Sequence, residues 1–316
     1  MNSWWIALSV SLLGVWVGLA GATVPFQVSI RLYNDVYSAG QDHFHLCNGA
    51  IVHQNYVLTT GHCVKDTILF ANSSRALTPQ MIYVVAGNLS TAQNVSTATV
   101  RNVKKITIHK NYNPVTLEHD IALLELDQSL PLQNNTDVKW IQLDNGEVAR
   151  SPCFISILNE TNGVFKNLDN VRIIDMFYCN KSANFSSPKK DDICSQYTIN
   201  GGSWCGTTDL QYKYSPDRGS ALVCNKVLIG LLSSIEPSDD PFTTDCLQSK
   251  KTFAFYTTVE EYVPWINMVI GLTHGKPPNP PTTHMYGDKE KGASARVAPG
   301  IAIFTALVLV FMQITH

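Results

Sequence analysis

The sequence predicts an all-β domain, built as barrels or a sandwich and closed by one helix. Three observations carry that prediction. Short β-branched and apolar runs recur along the chain, with Asn, Gly, Ser and Pro between them. One segment alone, residues 259–272, has a convincing helical pattern, and it comes last. At 316 residues, 45% hydrophobic and 15% charged, the chain can bury a substantial core. Many strands with a single terminal helix exclude a doubly wound parallel sheet.

In order, residues 26–30, 50–52, 56–58, 82–85, 103–108 and 121–126 read as strands. Residues 153–158, 171–176, 221–224, 227–232 and 253–257 read the same way. No internal repeat or heptad pattern is present. A net charge of −2, from 23 basic and 25 acidic residues, gives no broad attraction to phosphate and argues against nucleic-acid binding. The eight cysteines include no Cys-x-x-Cys pair of the zinc or redox type.

The ends suggest export. Trp4 to Ala20 is free of charge and is followed by Ala20-Gly21-Ala22, so residues 1–22 read as a signal peptide cleaved near Thr23. An uncleaved anchor is the alternative, because no Lys or Arg precedes the apolar run. Asn-x-Ser/Thr sequons at Asn72, Asn88, Asn94, Asn134, Asn159, Asn180 and Asn184 predict a glycosylated surface. Oxidised cysteines are then the default. Residues 23–273 form the expected folded domain. Residues 274–299, with Pro277, Pro278, Pro280 and Pro281, read as an extended stalk. The apolar tail, residues 300–316, follows small residues 292–295 and has no basic residue after it, which suits a GPI-addition signal. A single membrane span beginning near Val297 is the other reading.

Several blocks then appear in a fixed order. Pro25-Phe26-Gln27-Val28-Ser29-Ile30 precedes Cys47-Asn48-Gly49-Ala50-Ile51-Val52 and Tyr56-Val57-Leu58-Thr59-Thr60-Gly61-His62-Cys63. His119-Asp120-Ile121-Ala122-Leu123-Leu124 and Asp217-Arg218-Gly219-Ser220-Ala221-Leu222-Val223-Cys224 follow, then Tyr256-Thr257-Thr258-Val259 through Trp265-Ile266. Together they resemble the chymotrypsin/trypsin-like serine protease (peptidase S1) family over roughly residues 25–270. The resemblance implies two six-stranded antiparallel β-barrels with a C-terminal helix. It also implies four disulfides, Cys47–Cys63, Cys153–Cys224, Cys179–Cys194 and Cys205–Cys246. Spacing alone could not choose these pairs among the 105 connectivities that eight cysteines allow.

The family's chemistry needs a hydroxyl nucleophile, a histidine to take its proton, and a buried carboxylate to orient that histidine. The resemblance places His62 and Asp120 as base and orienter. The nucleophile position, six residues before Cys224, holds Arg218. A guanidinium stays protonated and offers only donors, so it cannot attack a carbonyl. Ser220 lies two residues further on, and a displacement of about 1 Å can already cost about a hundredfold. Pro216 stands where the family has a glycine in the donor turn, and proline has no amide hydrogen. Twelve residues separate Cys205 from Arg218, far more than the family uses, and Ser233-Ser234-Ile235 replaces the usual Ser-Trp-Gly. Thr23-Val24-Pro25 follows the signal peptide with no Arg-Ile-Val-Gly-Gly segment to supply an ammonium to Asp217.

Each retained residue also has a plain structural reading. His62 and Asp120 can simply hydrogen-bond and hold the cleft together. His43 and His45 have the spacing of a metal pair but read as a strand edge or loop, and neither metal nor cofactor is expected. Glu160-Thr161 belongs to a sequon. Arg218 could bind a carboxylate or sulfate, or pair with Asp217, and residues 206–216 could cover the cleft. The expectation is a non-catalytic serine protease homologue, cell-surface or secreted, acting on an extracellular protein partner. The alternatives are an active endopeptidase using Ser220, or a carbohydrate- or peptide-binding module on the same scaffold.

Overall fold

The computed structural model describes residues 24–33, 44–65, 77–87, 98–133, 135–159, 164–177, 179, 192–197, 217–237 and 252–271. All of them fall within one compact unit. The expected signal peptide, stalk and tail lie outside the described residues. So do His43, Glu160-Thr161, residues 206–216, Cys205, Cys246 and every sequon asparagine except Asn159.

Six strands close the first barrel: β1 (Gln27–Leu32), β2 (Phe44–His53), β3 (Tyr56–Thr59), β4 (Ile82–Ala86), β5 (Thr99–Ile108) and β6 (Ala122–Leu126). Their order around it is β1-β2-β3-β6-β5-β4, and every pairing is antiparallel. Closure leaves no edge unpaired. Val28, Ile30, Val57, Val84, Ala122 and Leu124 alternate inward to fill it, each fully buried. Gly49 is required at one crossing, because a Cβ there would sit 2.7 Å from the Val57 side chain.

The second half is an eight-stranded sheet, open among the described residues. It contains β7 (Gln142–Leu143), β8 (Cys153–Asn159), β9 (Val164–Asp169), β10 (Arg172–Ile174), β11 (Asp192–Tyr197), β12 (Ala221–Cys224), β13 (Val227–Pro237) and β14 (Thr252–Thr258). The order is β10-β11-β14-β13-β12-β8-β9, with β7 added in parallel to β13. Bulges between Leu222 and Val223 and between Leu232 and Ser234 bend the central strands. Cys153 bonds to Cys224 across the β8–β12 pair, where the two residues face each other in register. Cys179 bonds to Cys194 beside Phe253 and Phe255, and Cys47 to Cys63 in the first half. Each such bridge typically contributes about 2–4 kcal/mol.

The two halves share a core. Phe26, Ala50, Leu58, Ile121 and Leu123 from the first pack with Ala221, Val223, Leu228 and Leu231 from the second. The C-terminal helix, Val263–Ile270, lays Ile266 on this junction. It opens with Pro264 in its first turn and stops at Gly271, whose φ of 82° suits a residue without a Cβ. No helix among the described residues is long and apolar enough to cross a membrane. Ile266→Ala should lower unfolding stability by about 2–5 kcal/mol. Met268→Ala, on the exposed side of the same helix, should stay within about 0.5 kcal/mol. Urea unfolding midpoints of the two variants measure the difference.

Candidate functional site

His62 is fixed before its ring is considered. It begins the short helix His62–Lys65, whose first turn closes when Val64 and Lys65 donate their amides to the Gly61 carbonyl at 3.2 and 3.0 Å. Gly61 packs closely here, since a Cβ there would approach the Tyr112 ring to 3.2 Å. The next residue, Cys63, ties the helix to β2 through Cys47.

Asp120 lies at the entry to β6 and is fully buried. Three donors converge on its carboxylate. The His62 amide reaches Oδ1 at 2.8 Å, His62 Nδ1 reaches Oδ2 at 2.6 Å, and Ser233 Oγ reaches Oδ2 at 2.6 Å. Burial pushes the Asp120 carboxyl up. The charge of His62 and the hydrogen bonds from His62 and Ser233 overcome that and hold it below its ordinary value. A proton on Nδ1 leaves Nε2 as the acceptor, the tautomer a general base needs. Nε2 lies 3.5 Å from Thr60 Oγ1. The structure therefore brings His62 and Asp120 together, and Ser233 completes the set.

The turn Asp217-Arg218-Gly219-Ser220 is buried throughout. Its backbone is bonded on both sides. The Arg218 carbonyl accepts the Asn48 amide at 2.8 Å, and the Gly219 amide donates to Leu232 O at 2.8 Å. Ser220 N–H closes the turn on Asp217 O at 3.0 Å, and Leu232 N–H returns to Ser220 O at 2.9 Å. Gly219 has φ 79°, and a Cβ there would fall 2.1 Å from the Asn48 carbonyl oxygen. Because Asn48 follows Cys47, the partner of Cys63, residue 218 is anchored to the same strand that holds the histidine helix.

What this anchored position carries is a guanidinium. The hydroxyl two residues on, Ser220, is fully buried, and its Oγ accepts Asn48 Nδ2 at 2.8 Å. His45 Nδ1 pairs with Ser29 Oγ at 2.7 Å inside the β1–β2 ladder, which is the strand role. Cys47, His62 and Cys63 form the one cluster with metal-like proximity among the described residues. Its sulfurs are bonded to each other, so they are not thiolate ligands.

Asn48 and the Ser233–Asp120 bond are the parts that sequence reasoning missed. A usable signal existed for the second: a fully buried carboxylate with one imidazole partner has acceptor capacity left over and calls for another donor.

Asp120→Asn should cost about 3 kcal/mol at neutral pH by breaking the buried pair. It should also change the acid limb of stability. A carboxyl held below its unfolded value stabilises fully above that value, near 3.9, and the contribution fades as pH falls through the folded value. Urea titrations from pH 7 to 2 should therefore show a shallower acid loss in Asp120→Asn than in the wild type.

Comparison with known proteins agrees with this geometry. The trypsin family profile matches residues 19–266. Chymotrypsin-like elastase family member 1 of dog is 29% identical over 258 residues, covering 78% of this chain and 87% of its own. The human protein of the same name is 28% identical over 255 residues, covering 78% and 87%. Trypsin zeta of Drosophila erecta is 34% identical over 123 residues, covering 39% of each chain. The closed barrel, the Asp120–His62 pair and the profile match across most of the sequence lead to one conclusion: the chain belongs to the trypsin family of serine peptidases.

Proposed function

We propose that this chain is a non-catalytic member of its family that works outside the cell by binding a protein. One observation carries the reading. The position that should present the attacking hydroxyl holds Arg218, on a turn bonded to Asn48 on one side and Leu232 on the other. Bonds on both sides leave the backbone little room to bring another residue into that place. Ser220 supports the reading too, since it is buried and its Oγ already accepts Asn48 Nδ2 in the interior.

The dyad survives without its nucleophile because it has a second occupation. Asp120 draws donors from the first barrel and, through Ser233, from the second sheet. Removing it would leave buried polar groups unsatisfied. A scaffold that must stay folded to bind therefore retains these residues even when no bond is cut. The three disulfides among the described residues are the usual mark of an oxidising compartment, which favours an extracellular partner.

The test is turnover by full-length protein, wild type and Arg218→Ser, against a broad panel of esters and peptides. The wild type should show none. Arg218→Ser alone should also fail, because Pro216, at the sequence position of a family glycine, and Ser233-Ser234-Ile235 still depart from the family pattern. Wild-type turnover that disappears in His62→Ala would overturn the proposal and reinstate an endopeptidase. Turnover by Arg218→Ser alone would show that only the hydroxyl had been lost.

A further inference from the structure

A second histidine cluster lies beside the dyad, and the proposed function makes no use of it. His109 follows β5, and His119 immediately precedes Asp120. Their rings stack with centroids 4.9 Å apart and planes 32° from parallel. The turn before the C-terminal helix and the helix itself pack on them. Tyr262 meets His109 edge-on at 5.4 Å and His119 at 6.0 Å, and Trp265 meets His109 at 5.3 Å. The Tyr262 hydroxyl and His119 Nδ1 are 3.0 Å apart.

We propose that His109 and His119 form a pH-responsive latch, which holds the Asp120 loop against the C-terminal helix while both imidazoles are neutral and loosens when both are protonated. Two neutral rings can stack and accept aromatic edges. Two imidazolium rings at this spacing repel each other, and burial opposes a charge on His109.

The surroundings offer little to offset a double charge. On the same loop, Lys110 adds a positive charge beside His109. Glu118, next to His119, is exposed and accepts the Thr116 hydroxyl at 3.2 Å. Asp120 is committed to His62 and Ser233. From the C-terminal side, Glu260 faces Arg150 at 3.6 Å, and Glu261 flanks Tyr262 in the chain. Tyr262 and Trp265, which touch the rings, carry no charge near neutral pH. Among the described residues no carboxylate hydrogen-bonds either imidazole.

Burial first, then the charges of His119 and Lys110, push His109 below its ordinary value. The sign follows. A base held low in the folded state favours folding fully above its unfolded value, near 6.5, and that advantage is lost as pH drops from there through the lower folded value.

The latch has two outputs. His119 sits at φ 53° and its carbonyl accepts the Ile121 amide at 2.8 Å, while His109 N–H donates to Ile121 O at 3.0 Å. The pair thus brackets Asp120 in the backbone. On the other side, the helix it grips is the last described element before the sequence continues beyond residue 271.

Hydrogen exchange by mass spectrometry on the full-length protein tests this at pH 7.5 and 5.0, with rates corrected for intrinsic exchange. In the wild type, protection of residues 260–270 should fall by about tenfold or more on acidification, while residues 221–232 stay protected. In His109→Gln/His119→Gln the fall should vanish. If that variant does not fold, His119→Gln alone should weaken the pH effect by removing the second imidazole stacked on His109, with Lys110 still in place. Unchanged wild-type protection, an equal loss in the variants, or parallel loss in residues 221–232 would each overturn the latch.

Discussion

One buried carboxylate organises the site. Asp120 has no access to water and is the meeting point of the two halves: the first barrel supplies its backbone and both His62 donors, and the second sheet supplies Ser233. A charge in that location is tolerated only when its lone pairs are taken up. The shared apolar core then has to place β6 and β13 to within hydrogen-bonding tolerance. The bulge between Leu232 and Ser234 is part of that placement, since it falls at Ser233 itself.

A second set of contacts holds the turn at residue 218. Asn48 acts in three directions. Its amide binds the Arg218 carbonyl, its Nδ2 binds Ser220 Oγ, and its carbonyl accepts Thr59 Oγ1 at 2.7 Å. The close approach of Gly219 to the Asn48 carbonyl leaves room for no side chain. This part of the protein is a bonded, buried backbone turn of the rigid kind acyl transfer demands, and the side chain at residue 218 is a guanidinium, which offers only donors. Rigidity serves recognition equally well, because a preformed surface loses less entropy on binding.

Much of this was legible in the sequence, for physical reasons that differ by element. Residues 221–224 are apolar throughout, and they form β12 with those bounds because both faces are buried. Strands β9 and β11 escaped, since Val164–Asp169 and Asp192–Tyr197 mix polar and apolar residues without clean alternation. Their partners β8 and β14 make them strands. Strand β2 begins six residues before the expected run at residue 50, because residues 44–48 pair with β1. At the site, His62, Asp120 and Arg218 could be placed by motif and spacing. The Ser233–Asp120 and Asn48–Ser220 bonds could not, since they join residues 113 and 172 positions apart.

The central claim is that a formed histidine–carboxylate pair here faces no usable nucleophile. Fluorophosphonate labelling of the full-length protein at neutral pH, with adducts located by peptide mass spectrometry, addresses it most directly. A fluorophosphonate phosphonylates a serine only when a neighbouring base activates the hydroxyl and the pocket admits the phosphorus centre. The account predicts no adduct at any residue while the protein is folded, in the wild type and in His62→Ala alike. An adduct on Ser220 in the wild type that is absent from His62→Ala would contradict it.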